Sequence, residues 1–357
     1  MPPRPSWPRT RRAGRRWRSS RTSASTEHAL VHPAAALRRP RFFCFSELHS
    51  TDDLMTPTIG LIGLGAMGAG MAQSLRRAGH APHVFDVRRE AAEAFAREGG
   101  TASPSLEALG AACDIVISVV VNAQQTEAVL FGDGTTPGCA ASMKPGSLFV
   151  MCSTVDPDGS VALEARLEKL GILYLDAPIS GGAAKAASGQ MTMMTAGTPA
   201  AYERAGTVLD AMAAKVYRLG DRAGAGSKVK IINQLLAGVH IAVAAEAMAL
   251  GLREGVDPAA LYEVITHSAG NSWMFENRMA HVLAGDYTPL SAVDIFVKDL
   301  GLVLDTARAS KFPLPLASTA HQMFMQASTA GHGREDDSAV IKIYPGIEVP
   351  APKGKAP

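Results

Sequence analysis

Lys230, Asn233 and Gln234 stand together in a stretch from about Ser227 to Glu254 that is otherwise apolar almost all round. Their i, i+3, i+4 spacing puts one amine and two amides on a single face of a helix. A helix apolar on every side is a buried helix, so these groups need polar partners, and a cleft would supply them. The chemistry open to the trio is proton transfer. A lysine whose pKa is depressed by desolvation can take the proton of an alcohol as hydride departs, with Asn233 orienting the same hydroxyl. The competing reading of Lys230 is a snorkelling surface lysine. Lys228 is a rival base, but at 3.6 residues per turn it lies about 200° round the helix from Lys230. Its i+3 and i+4 neighbours are Ile231 and Ile232, not amides.

A base of this kind needs a hydride acceptor beside it, and the upstream sequence provides for one. Ile59-Gly60-Leu61-Ile62 reads as a short buried parallel strand. Gly63-Leu64-Gly65-Ala66-Met67-Gly68 follows at once, then a helical stretch from Gly70 to Ala78 that Gly79 ends. Glycines there let the backbone approach a pyrophosphate, and the helix N-terminus offers free N–H groups. A second strand, His83-Val84-Phe85, ends in Asp86, placed to accept hydrogen bonds from an adenosine ribose. A carboxylate at that point repels a 2′-phosphate, so NAD is expected as the cofactor. Arg88 and Arg89 pull the other way, since either could reach a phosphate, or both are solvated residues opening the next helix.

Strand and helix go on alternating. Asp114–Val121, Ser147–Met151 and Leu173–Leu175 read as further strands, whose C-terminal ends face the crevice of a doubly wound sheet. Val121 and Asn122 lie at the first of these ends, Ser153 and Thr154 at the second. The third runs into Asp176-Ala177-Pro178-Ile179-Ser180-Gly181-Gly182. There Ser180, Gly181 and Gly182 can present consecutive N–H groups and a hydroxyl to a carboxylate, although a plain loop is an equal reading. From Asp257 onward the pattern is helical. Asn271–Phe275 marks a helix start, with Trp273, Phe275 and Met279 as core or subunit contacts. Ala292–Ala309 is amphipathic and carries Lys298-Asp299, by default a solvated pair. Glu335–Ser338 opens a last helix that runs through Tyr344.

The expected architecture is α/β: an N-terminal Rossmann doubly wound sheet followed by an all-helical C-terminal domain, joined by a long inter-domain helix. Residues 55–223 would form the NAD-binding domain, 224–345 a helical substrate and dimerisation domain, and 346–357 a mobile tail. Residues 1–54 hold eleven Arg and no Lys against four acids, a net of +7 in a chain whose total is +2. The stretch reads as a disordered basic extension or as a start assigned upstream of Met55; a transit peptide and a basic nucleic-acid arm are alternatives. The remainder is mildly acidic, which does not suit a nucleic-acid binder. The apolar run Leu235–Leu252 is broken by His240 and Glu246, so it reads as a buried helix and no membrane partner is expected. Cys44, Cys113, Cys139 and Cys152 form no CxxC pair, so no metal site is expected and a reducing, cytoplasmic compartment fits.

Taken together, four motifs in order resemble the β-hydroxyacid dehydrogenase family, the relatives of 3-hydroxyisobutyrate dehydrogenase, over about Thr56 to Tyr344. They are Gly63–Gly68, Asp176–Gly182, Gly224-x-Gly226-x-x-x-Lys230-x-x-Asn233, and Lys298-Asp299-Leu300. The resemblance implies a catalytic Lys230, and Asn233 at the substrate. It implies a substrate carboxylate held by Ser180, Gly181 and Gly182. The cofactor would touch Gly63, Gly65, Ala66, Met67, Gly68, Asp86, Val121, Asn122, Thr154 and Lys298. It further implies a small hydroxy-acid substrate and a homodimer or homotetramer. Gln234 departs from the second Asn more usual in the third motif, which suggests a branch with its own substrate. A small sugar acid would need additional polar partners, for which Asn271, Ser272, Asn277 and Gln234 are candidates.

Overall fold

A computed structural model describes residues 56–351. The Arg-rich residues 1–54, Met55 and residues 352–357 of the tail lie outside the described residues. The first half runs β1 (Ile59–Ile62), α1 (Ala66–Arg77), β2 (His83–Phe85), α2 (Arg89–Glu98), β3 (Thr101–Ala102), α3 (Leu106–Ala112), β4 (Ile115–Ser118), α4 (Ala123–Phe131), β5 (Leu148–Met151), α5 (Pro157–Glu168) and β6 (Leu173–Asp176). It continues through β7 (Ile179–Ser180), α6 (Gly182–Ser188), β8 (Met191–Gly197), α7 (Pro199–Ala205), α8 (Val208–Met212) and β9 (Ala213–Arg218).

Branched and bulky side chains make the central strands, because each is buried on both faces. Ile115, Ile117, Leu148 and Val150 point into one core with Met71 and Leu75 of α1. The alternate residues Val116, Phe149 and Met151 point into a second core with Leu130 of α4 and Leu163 of α5. This two-residue alternation between two cores is what a doubly wound sheet requires. The parallel strands lie in the order β3-β2-β1-β4-β5-β6. The sheet then extends in a way the sequence did not suggest: β8 runs antiparallel to β6 and β7, and β9 lies parallel to β8. The topological switch falls between β1 and β4, where such sheets take their ligands.

The second half is helical: α9 (Ala225–Arg253), α10 (Pro258–Thr266), α11 (Trp273–Ala284), α12 (Val293–Ala309), α13 (Pro315–Ala327) and a 3-10 helix at Asp337–Ile343. By length and composition α9 could cross a membrane, yet half of its most apolar window is buried inside the protein. Its Ile241, Ala245 and Met248 lie at the centre of the helical core, with Met279 of α11, Leu300 of α12 and Phe324 of α13. The last helix is tighter and shorter than expected. Asp336 caps it by accepting from Ser338, and Asp337 turns inward to pair with Arg278, whose Nη2 lies 3.1 Å from Oδ2. Those acids are thus bound inside the fold and do not decorate an exposed helix end. Of the tail expected to be mobile, Ile347 and Val349 pack on the helical core, and Arg253 donates to the Gly346 carbonyl at 3.0 Å.

Candidate active site

The turn after β1 is shaped for an anionic ligand. Gly65 precedes α1 with no side chain capping the helix, so the first-turn amides are left facing outward. A Cβ at Gly65 would meet open space, whereas one at Gly68 would overlap the Gly63 carbonyl oxygen. The turn is therefore closed on its inner side and open above the helix end, which fits the pyrophosphate of a dinucleotide. Asp86 braces it from β2 by accepting from Leu64 N at 2.6 Å and Arg88 N at 2.8 Å. Burial pushes the Asp86 carboxyl up, but those backbone bonds and the Arg88 guanidinium outweigh it and hold it below the usual range. Arg88 spans Asp86 Oδ1 and the Leu64 carbonyl, each at 3.2 Å. Arg89 points away to Glu93, 2.8 Å along the outer face of α2.

The end of β5 approaches the same crevice. Ser153 Oγ donates to the Val120 carbonyl at 2.8 Å, tying β5 to the loop after β4. The Asn122 side chain caps α4 through Gln125 N at 2.8 Å, and Val121 N donates to Gln125 Oε1 at 2.9 Å. Thr154 follows, and its carbonyl accepts from Lys298 Nζ at 3.3 Å, so two residues far apart in sequence meet.

Asp176, at the end of β6, sets the phase of α9. Its Oδ2 accepts from Gly224 N and Ser227 N, both at 2.9 Å, and its Oδ1 from Ser227 Oγ at 2.7 Å. Burial pushes its pKa up despite these bonds. Gly226 lets the helix start directly on the strands, since a Cβ there would collide with the Met194 carbonyl oxygen of β8. With the first turn pinned in this way, Lys228 faces solvent and Lys230 faces inward, only 7% exposed.

Around Lys230 the described residues form one polar chain in an otherwise apolar interface. Lys230 Nζ donates to Gln234 Oε1 at 2.8 Å, and Asn233 Nδ2 donates to the same oxygen at 3.1 Å. Gln234 Nε2 donates to Asp299 Oδ2 at 2.5 Å, and Lys298 Nζ lies 2.5 Å from Asp299 Oδ1. Burial brings Lys230 down from 10.5 to about 8, against the pull of Asp299 and assisted by Lys298. Such an amine is half neutral near pH 8 and can exchange a proton with a hydroxyl.

The residues expected at the site are thus drawn into two groups, the glycine turn with Asp86 and the chain from Lys230 to Thr154. Ser180 sits on β7 beside Thr192 of β8, with Gly181 and Gly182 both at positive φ. No hydrogen bond joins these three to Lys230 or Asn233 among the described residues; β8 links them, since it pairs with β7 and underlies Gly226. Asn271, Ser272 and Asn277 have structural partners: Asn271 donates to Glu276 Oε1 at 2.6 Å, Ser272 caps α11, and Asn277 accepts from Arg278. Two acids were missed. Asp299 is not a solvated residue but 2% exposed, and Asp176 is an anchor for α9 rather than part of a loop. The signal for Asp299 was its place beside the buried positions Phe296, Leu300 and Val303. Among the described residues, no group of three or more His, Cys, Asp or Glu is arranged to hold a metal ion.

With this geometry in place, the likeness to known proteins is specific. Residues 58–220 match the family described as the NAD binding domain of 6-phosphogluconate dehydrogenase. Residues 224–344 match the family described as NAD-binding of NADP-dependent 3-hydroxyisobutyrate dehydrogenase. The chain is 68% identical over 302 residues to L-threonate dehydrogenase of Cupriavidus necator, covering 85% of this chain and 100% of that protein. It is 53% identical over 297 residues to L-threonate dehydrogenase of Escherichia coli K12, covering 83% of this chain and 97% of that protein. A crystal structure of 3-hydroxyisobutyrate dehydrogenase from Salmonella typhimurium superposes with a TM-score of 0.77 at 54% identity, covering 81% of this chain and 100% of that one.

Proposed function

The chain belongs to the 3-hydroxyisobutyrate dehydrogenase family, as an NAD-dependent hydroxyacid dehydrogenase, and from that premise we propose that it oxidises L-threonate at carbon 2 to 2-dehydro-L-erythronate. The observation that carries the substrate is the 68% identity to the Cupriavidus necator L-threonate dehydrogenase along that protein's whole length.

The reaction removes a hydrogen with its electron pair from carbon 2 and a proton from the attached hydroxyl, leaving a carbonyl. Bound NAD supplies the hydride acceptor. Lys230 takes the hydroxyl proton at Nζ, in the neutral form that burial favours. Asn233, on the same helical face, orients that hydroxyl. Ser180, Gly181 and Gly182 receive the substrate carboxylate through backbone N–H groups and the Ser180 hydroxyl. Gly63, Gly65, Ala66, Met67 and Gly68 would hold the pyrophosphate of the cofactor, Asp86 would accept from its ribose, and Val121, Asn122, Thr154 and Lys298 would complete its site. NAD is favoured over NADP because Arg88 is engaged with Asp86 and the Leu64 carbonyl, and Arg89 with Glu93.

The same reading makes the protein a cytoplasmic homodimer or homotetramer. Ile232, Leu236, Val243 and Leu250 form an apolar stripe on the face of α9 opposite its buried side, each at least half exposed. Their helical spacing suits an isologous seam between two copies. The three described cysteines are buried free thiols, which accords with a reducing compartment.

A substrate panel tests the assignment. Full-length protein with NAD is expected to show kcat/KM for L-threonate at least about tenfold above 3-hydroxyisobutyrate and D-glycerate, a ratio that one set of pocket contacts can supply. An equal or higher value for 3-hydroxyisobutyrate overturns the substrate, and preference for NADP overturns the cofactor reading of Asp86.

A further inference from the structure

Gln234 was expected to touch substrate, yet both ends of its amide are engaged by the protein. Nε2 donates to Asp299 Oδ2 at 2.5 Å, while Oε1 accepts from Lys230 Nζ at 2.8 Å and Asn233 Nδ2 at 3.1 Å. A carboxylate only accepts, so Asp299 dictates which way round the amide stands. The nitrogen must face α12 and the oxygen must face Lys230. Asp299 is itself held by Lys298, 2.5 Å away, which in turn reaches the Thr154 carbonyl at 3.3 Å.

We infer that Gln234 is a positioning residue: its amide, oriented by Asp299, fixes the Lys230 amine and the Asn233 side chain in the cleft without giving the amine a carboxylate partner. The inference rests on the reading of Lys230 as proton acceptor. A carboxylate placed directly on Lys230 would hold it as ammonium, and an apolar neighbour would leave the amine without a fixed place. The neutral spacer avoids both, because it holds the Asp299 carboxylate away from the amine while Lys298 from the same helix offsets part of its charge. Asp299 and Lys298 are the charged groups facing Lys230 from α12, and Lys228 on α9 points to solvent. This also accounts for the one departure from the family motif. An Asn at 234 is shorter by a methylene, roughly 1.5 Å, and cannot meet Lys230 while still reaching Asp299 on α12.

The test is a double-mutant cycle on the full-length enzyme with NAD and L-threonate: Gln234→Met, Asp299→Asn and the pair, with kcat/KM followed from pH 6 to 10. In wild type, kcat/KM rises with pH as Lys230 loses its proton, on a limb set by the free enzyme. Gln234→Met removes the oxygen that accepts from the ammonium, and Asp299→Asn removes the opposing charge. Either change disfavours the charged amine, so each single variant is expected to move the limb to lower pH, by up to about one unit. Each is also expected to lose roughly 10–100-fold in kcat/KM at pH 8 through misplacement of the amine. Because the two act in one chain, the double variant loses no more than the worse single one, while the NAD affinity of Gln234→Met stays within about twofold. Limbs that stay at the wild-type pH in both single variants, or losses that multiply in the double variant, overturn the inference. Should Gln234→Met not fold, Gln234→Leu takes its place in the cycle, with the same expectation. Lys230→Ala separates the two ideas: retained turnover there overturns the role of Lys230 itself, whereas abolished turnover with unmoved limbs overturns only that of Gln234.

Discussion

A buried amine is a burden on the fold, and Lys230→Met measures it. Methionine has a similar length and is apolar, so the cleft keeps its volume while the charge goes. Burial holds Lys230 at about 8 where a solvated lysine stands at 10.5, which corresponds to about 3 kcal/mol against the folded state at pH 7. The variant also gives up the bond to Gln234 Oε1, a loss of about 1 kcal/mol. A net gain of about 2 kcal/mol follows, or a rise in Tm of roughly 3 °C for a chain of this size. The dependence on pH gives the sharper signature. Below pH 8 both states carry the proton, and the burial cost is fully present. Between 8 and 10.5 the unfolded chain keeps a proton that the folded one has released, so wild-type stability recovers as pH rises. The advantage of the variant should therefore be largest at pH 7 and gone by about pH 10.5, while its turnover is down by ~10²–10⁴-fold. Thermal unfolding of both proteins at pH 7, 8, 9 and 10 provides the comparison. A wild type as stable as the variant at pH 7, or a difference that does not change with pH, refutes the reasoning.

Other perturbations follow from the same geometry. Gly68→Ala drives a Cβ into the Gly63 carbonyl oxygen, so calorimetric NAD affinity should fall by more than about 100-fold with turnover following it; binding within tenfold of wild type would mean the turn is softer than its packing indicates. Asp176→Ala leaves two buried N–H groups and the Ser227 hydroxyl without a partner, a loss of about 2–4 kcal/mol visible in denaturant unfolding. Lys228→Ala should leave kcat/KM within about twofold, because that side chain faces solvent, and a large loss would revive it as the base. Leu236→Glu combined with Val243→Glu places charges on the exposed stripe of α9 and should reduce the proposed dimer or tetramer to monomers in sedimentation; an unchanged mass removes α9 as the seam.

The sequence made the nucleotide-binding half legible because its strands are buried on both faces and so appear as continuous apolar runs. Ile115–Ser118 and Leu148–Met151 are of this kind, and the glycine turn comes between a strand and a helix as the binding geometry demands. The strands β7, β8 and β9 were harder to see. Two residues of β7 carry no period, and in Met191–Gly197 small and polar residues dilute the alternation. Lys230 was legible for the opposite reason, as a charge standing out against an apolar helix. Asp299 meets the same criterion on α12, beside Phe296, Leu300 and Val303, but it follows directly on Lys298, and an adjacent opposite charge reads as a surface pair. What separates the two readings is the partner. Asp299 Oδ2 accepts from Gln234, 65 residues earlier in the chain, so neither residue explains itself within its own motif. A glutamine where the family usually has asparagine looks like a change in what the enzyme binds as long as α9 is read alone. Once α12 lies against α9, the additional methylene has a local cause: it carries an amide across the gap from Lys230 to a carboxylate that a lysine pairs from its own helix.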